Sequence, residues 1–251
     1  MMKIGIIPAR FASTRFPGKP LALIHHKPMI QHVYERCKEA NLDDLYVATD
    51  DDRIKNSVEN FGGKVIMTNL QHASGTDRCA EAAHILELND SDFVINIQGD
   101  EPFIRKEEVN LLVNLFDNQK IQIATLAKSI TTEEEFNNPN KVKVVFSHSH
   151  QALYFSRSPI PFSSPHNAPQ SLPVTRYPLP SSDFPYKHIG IYAYRNDILQ
   201  KITKLPVSKL EETEKLEQLR WLENDFTIHV QICHHESIAI DTPEDLKSIT
   251  N

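Results

Sequence analysis

The chain has 251 residues with 27 Lys or Arg against 33 Asp or Glu, a formal net charge of −6 with the two signs interspersed. That balance excludes the broad basic face of a nucleic-acid-binding protein, and the length allows one large domain or two small ones. Cys37, Cys79 and Cys233 are odd in number and form no CxxC pair, so they read as reduced packing thiols in a reducing compartment.

Residues 3–7 (KIGII) are short, apolar and β-branched and predict a buried strand ending at Pro8. The apolar start is too short for a signal-peptide core, and no run of about eighteen apolar residues follows, so a soluble, cytoplasmic protein without a membrane partner is expected. The next segment, ARFASTRFPGKP at 9–20, gathers Arg10, Arg15 and Lys19 in one loop at the strand's carboxyl end. Ligands of open α/β sheets bind beyond such ends. Arg offers a planar fork to phosphate oxygens and Lys a point charge, so the loop reads either as a phosphate cradle or as a solvated basic loop.

A helix is predicted over 28–40, opened by Pro28 with Met29, Ile30, Val33 and Cys37 on one face. Strand 45–49, helix 52–61, strand 64–67, helix 76–88, strand 92–97 and helix 105–117 continue a βαβα alternation, which predicts a mainly parallel sheet. Further on, eight of the sixteen prolines fall between Pro159 and Pro185 and predict a long extended arm flanked by strand-like runs at 142–147 and 187–195. A helix over 211–223, a strand over 226–233 and a short helix from Pro243 complete the chain. The expectation is a single α/β domain over 1–251, with 142–195 as an insertion or dimerisation arm.

Two strand ends carry carboxylates. Asp100, in Gln98-Gly99-Asp100-Glu101-Pro102, is placed to hold Mg²⁺ against a phosphate, or else simply caps a helix. Asp241, before Thr242 and Pro243, is a second such carboxylate or a cap of the last helix. Ser74-Gly75-Thr76-Asp77-Arg78 enters helix 76–88, where backbone N–H groups meet a polar ligand edge, or where Ser74 or Thr76 merely caps. The twelve histidines, with the pairs His25-His26 and His234-His235 and the spaced His148 and His150, lack a carboxylate or Cys pattern and read as surface residues. Neither GxxxxGK[ST] nor a GxGxxG after the first strand occurs, which sets aside P-loop kinases and dinucleotide dehydrogenases.

Seven segments in order make the chain resemble the 3-deoxy-manno-octulosonate (KDO) cytidylyltransferase family, the CMP-KDO synthetases, over nearly its whole length. They are ARFASTRFPGKP at 9–20, SGTDR at 74–78, NIQGDEP at 96–102, YFSR at 154–157, KHIGIYAYR at 187–195, LEQLR at 216–220 and DTPEDL at 241–246. The resemblance implies a Rossmann-like nucleotidyltransferase (nucleotide-diphospho-sugar transferase) fold and a cytoplasmic homodimer. It also implies Mg²⁺ and the reaction of CTP with KDO to CMP-KDO and diphosphate, a step toward lipopolysaccharide. By the same resemblance Arg10, Ser13, Arg15, Lys19, Ser74, Gly75 and Arg78 face the nucleotide, and Asp100 and Asp241 hold the metal. Gln98, Arg157, His188, Tyr192, Glu217 and Gln218 fall on the sugar side, with Arg157 the natural partner of the KDO carboxylate. Arg10, Lys19 and Asp100 carry the chemistry. Other readings are a cytidylyltransferase for 8-amino KDO or an N-acylneuraminate, and a non-catalytic nucleotide-sugar sensor. The chain departs from the family at His25-His26, where a Gly is common before Lys-Pro, and over 159–185, which has no close match.

Overall fold

The computed structural model describes residues 1–12, 16–162, 185–235, 239–240 and 242–250. The first half forms β1 (Lys3–Ala9), a 3-10 turn (Lys19–Leu21), β2 (Leu23–Ile24), β3 (Lys27–Pro28), α1 (Met29–Cys37), β4 (Asp44–Thr49), α2 (Asp52–Asn60), β5 (Val65–Met67), α3 (Gly75–Ile85), β6 (Phe93–Asn96) and α4 (Lys106–Leu115). Then follow β7 (Ile123–Ser129), α5 (Glu133–Asn137), β8 (Lys143–Phe146), β9 (Ala152–Ser156), β10 (Tyr186–Arg195), α6 (Asn196–Ile202), α7 (Lys209–Glu214), α8 (Gln218–Glu223), β11 (Ile228–Ile232) and α9 (Pro243–Thr250). Two compact units emerge, one of residues 1–119, 191–204 and 235–251, the other of 120–190 and 205–234.

In the first unit the strand order is β10-β6-β1-β4-β5. β1 pairs in parallel with both β4 and β6, β4 pairs in parallel with β5, and the end of β10 runs antiparallel to β6. Ile4, Ile6 and Ile7 of β1 are buried, as a central strand covered on both faces requires. The four parallel strands, numbered in chain order, lie 3-2-1-4, and the connection reverses direction between β1 and β6. This is the topological switch point at which α/β sheets bind ligands. A satellite core of Ile24, Met29 and Ile240, with Phe16, Phe103, Leu246 and Ile249 against it, ties the end of the basic loop to the segments after Asp100 and before Asp241.

In the second unit β7 and β11 pair in parallel, while β8 is antiparallel to β9 and to the start of β10. Lys143 of β8 is wholly buried, and its Nζ donates to the carbonyls of Asn138, Lys141 and Arg157 at 2.9, 2.6 and 2.7 Å. Burial pushes this ammonium down to about 8, against the opposing pull of Glu214 and with the help of Arg157. The single helix expected over 211–223 is instead two, α7 and α8. Lys215 takes φ 55°, and Arg157 donates from Nε to the Glu214 carbonyl at 2.8 Å. A side chain from a distant strand thus meets a carbonyl that a broken helix leaves exposed, and no glycine marks the break. β7, α5, β9 and α6 were not among the expected elements. The proline-rich arm expected over 159–185 lies, from 163 to 184, outside the described residues.

The family departure at His25-His26 forms a two-residue hairpin between β2 and β3, both residues left-handed at φ 46° and 68°. Such a turn fits the twist of the strands but is strained for side chains other than Asn or Gly. Replacing His25-His26 by Asn-Gly is expected to raise stability by about 1 kcal/mol, read from the urea midpoint; a lowered midpoint would contradict this account of the turn.

Candidate active site

Parallel pairing puts the carboxyl ends of β1, β4 and β6 at one edge of the first unit. A cavity of about 250 Å³ opens there. It is lined by Pro8–Arg10 at the end of β1, by Lys19 and Pro20, by His72–Gly75 and Arg78 at the start of α3, and by Gln98–Asp100 after β6. Of the residues expected at the site, Arg10, Lys19, Ser74, Gly75, Arg78, Gln98 and Asp100 are therefore brought together, although the first and last are 90 positions apart. Ser13, Arg15 and Asp241 lie outside the described residues.

Charge at the strand ends is arranged in pairs. Lys19 Nζ lies 2.6 Å from Asp100 Oδ2. Arg10 is exposed and has no ion-pair partner among the described residues, so a cation stands at the end of β1 with its fork uncommitted. Gly18 makes the turn that aims Lys19: it takes φ 71°, and its N–H donates to the Phe11 carbonyl at 2.9 Å, closing the basic loop. Gly99 serves the other strand end. A Cβ there would sit 3.2 Å from the Pro8 carbonyl oxygen, so a side chain would push the Asp100 turn away from β1.

The opposite wall is the start of α3. Ser74 caps the helix through a reciprocal box with Asp77, its Oγ accepting from the Asp77 N–H at 3.1 Å, so the plain capping role weighed for this segment is real. Arg78 is buried, with Nη1 donating to Thr68 Oγ1 at 2.6 Å and Nη2 to Asp50 Oδ2 at 3.0 Å. Asp50 follows β4 directly and was not singled out from the sequence, although the strand-end rule that finds Asp100 would also find it. His72 lines the cavity against Glu81, which corrects the reading of the histidines as surface residues. His150 departs from it too, stacking between Phe146 and His229 in the second unit.

The sugar-side residues other than Gln98 divide between the units. Tyr192 is buried and stands opposite Asn96 in the β10–β6 register. Arg157, besides its bond to Glu214, donates from Nη1 to the Pro139 carbonyl at 3.1 Å, so it has a structural task whatever else it binds. Glu217 accepts from Arg220 Nη2 at 2.8 Å, and Gln218 is buried at the start of α8. His188 packs edge-on against Phe155, with Nε2 3.0 Å from Thr125 Oγ1, and burial pushes its imidazole down to about 3. At neutral pH it is a neutral hydrogen-bonding ring and not a cation for a carboxylate.

Two outcomes are expected. Asp50→Ala leaves Arg78 buried without its counter-charge and should lower unfolding free energy by about 3–5 kcal/mol, measured by urea denaturation; a loss of a few tenths would show the pair to be dispensable. For His188 the unfolded chain binds the proton from the ordinary value of 6.5 down to about 3, where the folded chain does not. Its contribution to stability is therefore complete above that interval and lost as pH falls through it. His188→Gln should flatten the fall in urea midpoint over the interval, and an unchanged acid limb would contradict the assignment.

Among the described residues no helix is long and apolar enough to cross a membrane. A family model described as cytidylyltransferase matches residues 4–232. The 3-deoxy-manno-octulosonate cytidylyltransferase of Thermodesulfovibrio yellowstonii is 52% identical, over 98% of this chain and 96% of that protein. The 8-amino-3,8-dideoxy-manno-octulosonate cytidylyltransferase of Shewanella pealeana is also 52% identical, over 96% and 94%. A solved CMP:2-keto-3-deoxy-manno-octonic acid synthetase, complexed with CTP, superimposes with a TM-score of 0.86 at 43% identity, covering 99% of this chain and 97% of that one. The chain that carries this switch-point cavity thus belongs to the cytidylyltransferase family.

Proposed function

We infer that the protein transfers the cytidylyl group of CTP to the anomeric hydroxyl of 3-deoxy-manno-octulosonate, releasing diphosphate. The observation that carries this reading is the meeting of Arg10, Lys19, Asp100 and Arg78 in one cavity at the β1/β6 switch point of a chain in this family. The sugar hydroxyl attacks the α-phosphorus in line and diphosphate departs. Such a step asks for little covalent chemistry from the protein; it needs aligned reactants and fixed cations where negative charge builds on phosphate oxygens. Arg10 and Lys19 supply those cations at the end of β1. Arg78, held rigid by Asp50 and Thr68, keeps N–H groups for the nucleotide on the opposite wall.

Mg²⁺ fits the donor set. Asp100 already holds a cation, the Lys19 ammonium, at Oδ2, and its Oδ1 has no partner among the described residues, which leaves hard oxygen capacity free. Ile240 donates its N–H to the Asp100 carbonyl at 2.9 Å, and Asp241 is the next residue in the chain, which supports Asp100 and Asp241 as the pair that would hold the ion. Bound there, the ion would neutralise charge on the phosphate oxygens. Ser13 and Arg15 join the triphosphate side on the family pattern, and Gln98, Arg157, His188, Tyr192, Glu217 and Gln218 the sugar side. A cytoplasmic homodimer serving lipopolysaccharide synthesis follows from the same pattern, and the buried free thiols of Cys37, Cys79 and Cys233 suit a reducing compartment.

The test is diphosphate release with Mg²⁺ and CTP against KDO, its 8-amino analogue and N-acetylneuraminate. Turnover with KDO is expected. Preference for the 8-amino sugar would keep the reaction and change the acceptor, and no release with any acid would overturn the reading. Asp100→Asn, which keeps side-chain volume and removes the charge, is expected to cost at least about 100-fold in kcat with an unchanged melting temperature. Turnover at the wild-type rate would remove Asp100 from the chemistry.

A further inference from the structure

The cavity wall at 72–78 carries a titratable pair that the transfer step does not use. His72 lines the cavity, its Nε2 in hydrogen-bond contact with Glu81 Oε2. Glu81 also accepts from the Asn69 backbone N–H at 2.7 Å. Burial alone would raise this carboxyl, but the hydrogen bonds from His72 and Asn69 outweigh it and hold the group below the usual carboxylate range. An ionised carboxylate only accepts, so Nε2 carries the proton. In its neutral form the ring then has a lone pair on Nδ1, an atom with no partner among the described residues. On the same wall Arg78, fixed by Asp50 and Thr68, can only donate. One acceptor and one donor are therefore locked in place by carboxylates from behind.

We propose that His72, oriented by Glu81, is a specificity-determining residue that selects cytosine over uracil. This rests on the cytidylyl-transfer reading above, in which the family pattern puts the triphosphate against Arg10, Lys19 and Asp100 and the cytosine against Ser74, Gly75 and Arg78. Cytosine presents an amino donor at N4 beside acceptors at N3 and O2. Nδ1 of His72 accepts from the amino group while Arg78 donates to the ring acceptors. Uracil reverses the pattern: its O4 would meet the Nδ1 lone pair, and its N3–H would meet a guanidinium, leaving polar groups unpaired in a confined site.

The experiment compares kcat/KM for CTP and UTP, by diphosphate release at saturating KDO, in the wild type, His72→Gln and Glu81→Gln, with melting temperatures as a check on folding. Gln at 72 places its amide near the position of Nε2, so it keeps the contact to Glu81 and removes the Nδ1 acceptor. Gln at 81 can donate to Nε2 and release the opposite tautomer. Both variants are expected to lose about tenfold or more of the CTP preference. An unchanged CTP/UTP ratio in both, including an equal loss on the two nucleotides, overturns the proposal. Failure of the wild type to use either nucleotide would instead overturn the cytidylyl-transfer reading on which it rests.

Discussion

Everything at this site depends on β1 pairing in parallel with two neighbours at once. A parallel strand can only be reached by a crossover, and crossovers from β1 leave in two directions, so a crevice opens where they part. Short segments that would otherwise be unrelated surface loops then face one another: the basic loop after β1, the Gly99-Asp100 turn after β6, and the start of α3. Each is held locally. Gly18 closes the first, Gly99 brings the second against the Pro8 carbonyl, and Ser74 caps the third.

The site's charges are distributed with the same economy. Lys19 pairs with Asp100, Arg78 with Asp50, and His72 with Glu81. The first pair stands at the strand ends and is partly exposed, so an incoming anion can exchange partners with it at little desolvation cost. The second is buried and behaves as scaffold, because separating buried charges is expensive. Arg10, with no partner among the described residues, is the group with most to gain from a phosphate. Once engaged by the phosphates, these cations stand where charge develops in the transfer step.

The βαβα half of the fold was legible because its strands are short β-branched apolar runs and its helices longer and amphipathic, so length and composition separate them. β7 (IATLAKS) was not, since its Ala, Lys and Ser residues dilute the continuous β-branched run that marks β1 and β6. The break between α7 and α8 was invisible for a different reason: the side chain that meets its exposed carbonyl is Arg157, more than fifty residues away in sequence. Arg10, Lys19 and Asp100 were readable because a strand-end position and the family's segments coincide on them. Asp50 was missed although the same strand-end rule reaches it, and Glu81 and His72 because each acquires its role only from the other. Arg157 shows the converse: its family-pattern role was readable, but not the structural work it also does.

The most direct test of this account is a crystal structure of the protein with CTP and Mg²⁺. The account predicts the triphosphate at the carboxyl end of β1 against Arg10 and Lys19, Lys19 turned from Asp100 toward phosphate oxygens, and the base against the wall of His72 and Arg78. A nucleotide bound elsewhere, or one seated with its base at the β1 end and its phosphates on α3, would contradict it.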